Sequence, residues 1–132
     1  MLVFLVRHAH ADPGDPDDLR SLSERGRDEA RSLARLLAAH ATPPALVLTS
    51  PLLRARQTAE AIADATGSGL GVDDRLGPGA TAESLRAAVE GVETATVAVV
   101  GHQPDCSQIA VELTGADPGF PTGGVAEIVL DP

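Results

Sequence analysis

Four ionisable side chains stand at or just beyond the ends of three apolar segments of this chain: Arg7, His8, Arg54 and His102. Imidazole is a good nucleophile toward phosphorus, and a guanidinium group binds phosphoryl oxygens through paired hydrogen bonds. Stabilising the charge on the phosphoryl group is the main task in its transfer. The set therefore predicts an anion-binding site that can transfer a phosphoryl group through His8 without a metal or another cofactor.

The segments that must position these side chains are short and apolar. Residues 2–6, 46–50 and 96–100 have the composition of strands buried on both faces of a sheet. In an open α/β sheet, ligands bind at the edge where the carboxyl ends of the strands meet. If the three strands are parallel neighbours, the four side chains converge on one pocket.

Two helix starts lie between these strands. Ser21 and Glu24 have the spacing of a capping box, which predicts a helix from there to about residue 40. Gly26 lies in the first turns of that helix and is expected to weaken it slightly. Ser50 and Pro51 predict a second helix with Ser50 as its N-cap, running to about residue 66.

The remaining elements continue the alternation. We expect a minor strand at residues 70–72, a helix capped by Thr81, a helix opened by Pro104 and a last strand over residues 125–130. Helices alternating with buried strands predict an α/β fold, specifically a three-layer α/β/α sandwich with a mainly parallel sheet. The length of 132 residues indicates a single domain over residues 1–132.

Charge and cysteine content exclude several classes of function. The formal net charge is -9, and we expect no nucleic-acid partner, because neutralising the phosphates of a nucleic acid requires a basic face. Cys106 is the only cysteine, so no internal disulfide can form. The apolar run at residues 2–6 is too short for a signal peptide or a membrane span, and we expect a cytoplasmic protein with no membrane partner.

A metal site is the alternative reading of the segment after the first strand. His8, His10 and Asp12 resemble the His-x-His-x-Asp-His signature of metallo-β-lactamase-like hydrolases. The pattern fails at Pro13, which stands where the signature has its next histidine, and Arg7 would place a cation beside the metal. We therefore expect no metal ligands, and His10 is expected to be a loop residue.

Four motifs, in this order along the chain, resemble those of the histidine phosphatase superfamily. They are Arg7-His8-Ala9, with Ala where the superfamily usually has Gly, Leu22–Gly26, Ser50–Ala59 and Gly101–Pro104. The third is the most specific, because it matches Ser-Pro-x-x-Arg-Ala-x-Gln-Thr-Ala closely. The resemblance implies a phosphoglycerate-mutase-like fold, and within the superfamily the chain is most similar to the small phosphohistidine phosphatases of the SixA type.

The resemblance also implies roles for individual residues. His8 would be the nucleophile that becomes phosphorylated, and Arg7, Arg54 and His102 would form the phosphate pocket. Arg20, just before the second motif, looks like an additional substrate-binding arginine of the SixA type.

The general acid of larger relatives has no evident counterpart in this sequence. The segment expected to carry it, residues 76–80, contains no Asp or Glu, and the nearest candidates are Asp12, Asp74, Glu83 and Asp105. An alkoxide leaving group needs a proton, whereas an imidazole can leave already protonated on its other nitrogen. A phosphorylated protein carrying phosphohistidine is therefore the expected substrate. A phosphatase for small phosphorylated metabolites and a non-catalytic phosphate-binding module are the alternatives.

Overall fold

Five strands form one sheet in the computed structural model, which describes residues 1–131. The strands are β1 (Leu2–Arg7), β2 (Leu46–Thr49), β3 (Gly69–Val72), β4 (Thr96–Gly101) and β5 (Val125–Val129). Their order across the sheet is β3-β2-β4-β1-β5, and only β5 runs antiparallel to its neighbour. The prediction that the segments at residues 2–6, 46–50 and 96–100 are parallel neighbours is therefore confirmed, because β4 pairs in parallel with both β1 and β2.

Helices cover both faces of this sheet. They are α1 (Glu24–Ala38), α2 (Leu53–Thr66), α3 (Ala82–Val89) and α4 (Asp105–Thr114), with short 3₁₀ helices at Asp17–Leu19 and Asp74–Leu76. The expected three-layer α/β/α sandwich with a mainly parallel sheet is confirmed. Within residues 1–131, no helix has both the length and the apolar character needed to cross a bilayer.

Strand β1 shows why the sheet needs helices on both sides. Phe4 and Val6 pack into one apolar cluster with α1 and α2, whereas Val3 and Leu5 pack into the other with α3 and α4. Successive side chains of a strand point to opposite faces, so an uninterrupted apolar run buries both of them. All four side chains are at most 1% exposed, which holds β1 rigidly in the centre of the molecule.

The register of the parallel strands aligns their carboxyl ends. Arg7 of β1 lies opposite Gly101 of β4, and the His8 N–H continues the ladder by donating to the Gly101 carbonyl at 3.0 Å. On the other side of β4, the Ser50 N–H donates to the Val100 carbonyl at 3.0 Å. His8, Ser50 and His102 therefore leave the sheet side by side.

Two of the four helix starts predicted from the sequence differ from the structure, whereas Thr81 is the N-cap of α3 as predicted. The N-cap of α1 is Ser23, not Ser21, and its hydroxyl accepts a hydrogen bond from the Gly26 N–H. Helix α2 begins at Leu53, and Ser50 is not its N-cap. The Ser50 hydroxyl accepts the Leu52 N–H at 3.2 Å, and it also contacts a residue of the site described below.

Candidate active site

His8 occupies the first position beyond β1, and its ring is held in one tautomer. Nδ1 lies 2.7 Å from the Ala9 carbonyl oxygen, which can only accept, so Nδ1 carries the proton. Burial lowers the pKa of His8 to about 4, and the positive charges of Arg54 and Arg7 act in the same direction. At neutral pH His8 is therefore an uncharged imidazole whose Nε2 carries the free electron pair.

His102 stands beside His8 at the end of β4. The centroids of the two rings are 5.1 Å apart, and His102 is 5% exposed. Its Nε2 lies 2.7 Å from the Ser50 hydroxyl oxygen, whereas its Nδ1 is buried and has no hydrogen-bond partner within residues 1–131. Burial, with His8 and Arg54 nearby, lowers the pKa of His102 to about 4. Ser50, which the sequence pattern assigned to a helix cap, thus holds the second imidazole.

Arg7 ends β1 and is anchored at one side of its guanidinium group. Its Nη1 donates to the Phe120 carbonyl at 2.9 Å. Its Nε is buried and has no hydrogen-bond partner in the described part of the chain. Buried donors in native proteins are almost always satisfied, so this atom and His102 Nδ1 mark where an anion would complete the site.

Arg54, the second residue of α2, is 7% exposed and is paired with a carboxylate. Its Nη2 lies 3.2 Å from Asp17 Oδ2, and its Nη1 donates to the Asp17 backbone carbonyl at 2.8 Å. Arg20 contacts the other oxygen of the same carboxylate, with Nη1 3.0 Å from Asp17 Oδ1. The loop after β1 therefore brings an internal anion to both arginines, which contact the same carboxylate.

The Asp17 carboxylate contacts an arginine through each of its oxygens, although its side chain is 65% exposed. Hydrogen bonds from Arg20 and then Arg54 lower the pKa of Asp17 below its usual value. The carboxylate remains ionised at neutral pH and cannot serve there as a proton donor. A phosphoryl dianion that binds Arg54 must displace it or share the guanidinium group with it.

The other candidate acids differ from Asp17 in their contacts. Asp105 Oδ2 accepts the Gly79 N–H at 2.8 Å, which ties the start of α4 to the loop before α3. Asp12, Asp74 and Glu83 are exposed. Within residues 1–131, Asp17 is the one carboxylate that contacts an arginine of the predicted pocket.

His10 lies in the loop after β1, as expected, and is held in place there. Its Nδ1 is 2.6 Å from the Ser23 hydroxyl, and its carbonyl accepts the Ser23 N–H at 3.0 Å. A Cβ atom at Gly26 would lie 1.8 Å from that carbonyl oxygen, so glycine is needed there for close packing. Helix propensity, which predicts only a slightly weaker helix, does not indicate this packing role of Gly26. In the part of the chain that the structure describes, no three His, Cys, Asp or Glu side chains cluster as metal ligands.

Comparisons with known proteins agree with this geometry. A profile of the histidine phosphatase superfamily (branch 1) matches residues 3–77. Phosphohistidine phosphatase SixA of Escherichia coli (strain K12) is 35% identical over 99% of this chain and 86% of its own length. This chain belongs to the histidine phosphatase superfamily.

Among solved structures, the fold of this histidine phosphatase is similar to that of SixA. The structure of the protein histidine phosphatase SixA complexed with tungstate matches with a TM-score of 0.89 and 32% identity, over 99% of this chain and 89% of that one. A mycobacterial glucosyl-3-phosphoglycerate phosphatase matches with a TM-score of 0.66 at 20% identity, over 86% of this chain and 79% of that one. The second likeness concerns the fold alone, so the fold does not select the substrate.

Sequence reasoning missed three residues of this histidine phosphatase that contact the predicted site or its supporting loop. Ser50 orients His102, Asp17 pairs with Arg54, and Glu29 of α1 accepts the His10 N–H at 2.9 Å. The Ser-Pro start of the third motif could have indicated Ser50. No local pattern indicates the other two, because their partners are distant in the sequence.

Proposed function

We propose that this histidine phosphatase removes the phosphoryl group from phosphohistidine on a protein through a phosphorylated His8. The observation that carries the proposal is the hydrogen bond from His8 Nδ1 to the Ala9 carbonyl, which leaves the Nε2 electron pair of a neutral ring for attack on phosphorus. The likeness to SixA supports the same reaction class. The chain acts as one domain over residues 1–132.

The pocket supplies positive charge and hydrogen bonds for the transferring group. We assign phosphoryl oxygens to Arg7 and to Arg54, whose guanidinium groups lie at the same edge of the sheet. His102 donates a further hydrogen bond through Nδ1 when the Ser50 hydroxyl donates to Nε2. Fixed donors aimed at the phosphoryl oxygens stabilise the charge of the transition state without a metal. Arg20 completes the set once Asp17 has released it.

The nature of the leaving group decides the substrate class. Asp17 is held ionised by two arginines and is therefore no proton donor for an ester oxygen, and Oδ2 of Asp105 is engaged by the Gly79 N–H. An imidazole leaving group needs no such donor, because its other nitrogen can already be protonated. The acid-poor site therefore favours phosphohistidine over a small phosphomonoester.

The test measures phosphate release from a phosphohistidine-bearing protein and from an aryl phosphate side by side, with a chelator present. We expect fast release from the phosphohistidine, slow release from the ester and no effect of the chelator. His8→Ala should abolish release. His40→Ala is the matched control, since His40 pairs with Glu127 outside the site, and it should retain release.

Three results would contradict the proposal. Unchanged turnover by His8→Ala would exclude the phosphorylated His8. Faster release from the ester would indicate a small-molecule phosphatase with a proton donor, and phosphate binding without any turnover would indicate a binding module.

A further inference from the structure

Glu29 holds together three segments around His8 without contacting the ring itself. Its Oε1 accepts the His10 N–H at 2.9 Å, and its Oε2 accepts the Thr122 hydroxyl at 2.9 Å. Arg25, one turn earlier on α1, donates to Oε2 at 3.2 Å. The carboxylate thus joins α1 to the loop after β1 and to the loop before β5.

The contact with His10 leads directly to the His8 ring. The His10 N–H and the Ala9 carbonyl are the two polar groups of one peptide unit. The Ala9 oxygen accepts the proton of His8 Nδ1 at 2.7 Å. A continuous chain therefore runs from the Glu29 carboxylate through one peptide group to the imidazole.

The peptide group is conjugated, so a negative charge on its N–H side increases the electron density on its oxygen. A charge-assisted hydrogen bond at the N–H makes the Ala9 carbonyl a stronger acceptor for His8 Nδ1–H. Hydrogen bonds from His10, Thr122 and Arg25 outweigh the effect of burial and keep the pKa of Glu29 below its usual value. The carboxylate is charged at neutral pH.

We propose that Glu29 is a positioning residue that acts on His8 through the Ala9–His10 peptide group, fixing its tautomer and stabilising the charge that develops on its ring. The inference rests on the proposed nucleophilic role of His8. A positioning role explains why the Glu29 carboxylate, which is outside the phosphate pocket, binds both the loop after β1 and the loop before β5. The Gly123 N–H, next to Thr122, donates to the Arg7 and His8 carbonyls at 3.1 Å. The two hydrogen-bond partners of Glu29 outside α1, His10 and Thr122, therefore both lie in segments that contact the backbone at His8.

The charge arises as bonds change at phosphorus. The Nε2–P bond forms while the P–N bond of the substrate breaks, and that electron pair leaves with the substrate imidazole. The proton on His8 Nδ1 stays in place, so the ring becomes a phosphorylated cation facing the Ala9 carbonyl. Water then forms a new O–P bond, both of its protons leave with the phosphate, and the Nε2–P electron pair returns to His8.

The variant that separates charge from shape is Glu29→Gln, which is nearly isosteric and keeps an oxygen for the His10 N–H. We expect phosphoryl transfer to His8, measured by rapid quench with a phosphohistidine-bearing protein, to slow about tenfold. The inhibition constant for inorganic phosphate should stay within about twofold, because no group of the phosphate pocket is altered.

Two controls and one spectroscopic readout complete the test. Arg25→Gln and Thr122→Val each remove one Oε2 contact but leave the path through His10, and both should transfer within about threefold of wild type. In Glu29→Gln, the Nδ1–H resonance of His8 should move upfield and its ¹⁵N shifts should indicate a mixed tautomer. Neither change is expected from a loss of general packing.

Wild-type transfer rates and unchanged His8 shifts in Glu29→Gln would overturn the inference. Equal losses of transfer and of phosphate binding, with unchanged shifts, would overturn it as well. Failure of the wild-type protein to form phosphohistidine at His8 would instead contradict the proposed function, whereas the His8 shifts would still report on the Glu29 contact.

Discussion

Replacing Gly26 with alanine tests how closely α1 packs against the loop that follows His8. A Cβ atom at residue 26 would lie 1.8 Å from the His10 carbonyl oxygen, and Cβ atoms essentially never come within 3.0 Å of such an atom. The helix and the loop must therefore separate by at least about 1.2 Å, the difference between those two distances. Backbone atoms on both sides have to move, because no side chain can rotate away.

The added methyl group has two opposite effects on the free energy of unfolding. Helix propensity alone favours alanine over glycine by about 1 kcal/mol in a helix interior. Overpacking costs about 1–3 kcal/mol, and the upper end applies here because the obstacle is backbone. We expect Gly26→Ala to be destabilised by about 2 kcal/mol, the opposite sign from the prediction of helix propensity.

The loss of activity should exceed the loss of stability. His10 is two residues from His8, and the peptide between Ala9 and His10 accepts the proton of His8 Nδ1. A displacement of about 1 Å at a reacting group can cost about 100-fold in rate. We expect kcat/KM for a phosphohistidine-bearing protein to fall by about that factor in Gly26→Ala.

Urea unfolding and phosphate release measure the two effects on the same preparation. Gly69→Ala is the matched control, because its new Cβ atom would meet only Leu46 Cδ1 at an ordinary 3.4 Å. If Gly26→Ala were as stable as wild type and within threefold of its activity, the close packing of α1 against His10 would be refuted.

Three further predictions follow from contacts at the site. Ser50→Ala leaves His102 Nε2 buried without a partner, which should lower the free energy of unfolding by about 1–3 kcal/mol in urea titrations and reduce turnover. Asp17→Asn removes the internal anion from Arg54 and should lower the Kd for tungstate or phosphate about two- to fivefold by calorimetry. Because the pKa of His8 and of His102 is lowered from 6.5 to about 4 in the folded protein, the unfolded chain binds more protons between these values. The stability that these two residues contribute is present above pH 6.5 and should fall as the pH drops from 6.5 to about 4, and an NMR titration of His8 should give a midpoint near 4.

The two substitutions have matched controls, and the titration has a result that would contradict it. Asp18→Asn makes the same charge change next to Asp17, and an equal gain in tungstate affinity from both variants would show that overall charge is responsible. Thr114→Val removes a hydroxyl far from the site and should leave turnover unaltered, unlike Ser50→Ala. A midpoint near 6.5 for His8 would show that the ring is neither desolvated nor surrounded by positive charge.

The fold class and the meeting of the four pocket residues could be predicted because the signals are local. Arg7, His8 and His102 each follow an uninterrupted apolar run, and such runs predict buried strands from the sequence alone. Parallel strands with their carboxyl ends at one edge then bring these residues together without knowledge of any side-chain contact.

The starts of α1 and α2 could not be predicted as reliably, because more than one hydroxyl side chain can act as the N-cap or bind elsewhere. Ser21 and Ser23 both precede α1, and only Ser23 accepts the Gly26 N–H. Ser50 precedes a proline and has the pattern of an N-cap, yet its hydroxyl lies 2.7 Å from His102 Nε2. Pairing of β2 with β4 brings this serine to the histidine, and that pairing is a property of the whole sheet.

By itself, the sequence determined which chemistry is available: a strand-end histidine, the arginines that can bind a phosphoryl group, and the alternating elements that carry them. Only the tertiary structure decided the partners of Asp17, Gly26 and Glu29, which contact residues far along the chain or pack against them. These contacts depend on how α1 and the loop after β1 pack on the finished sheet. Their short distances reflect close packing between segments, and the amino-acid pattern of one segment does not encode the position of the other.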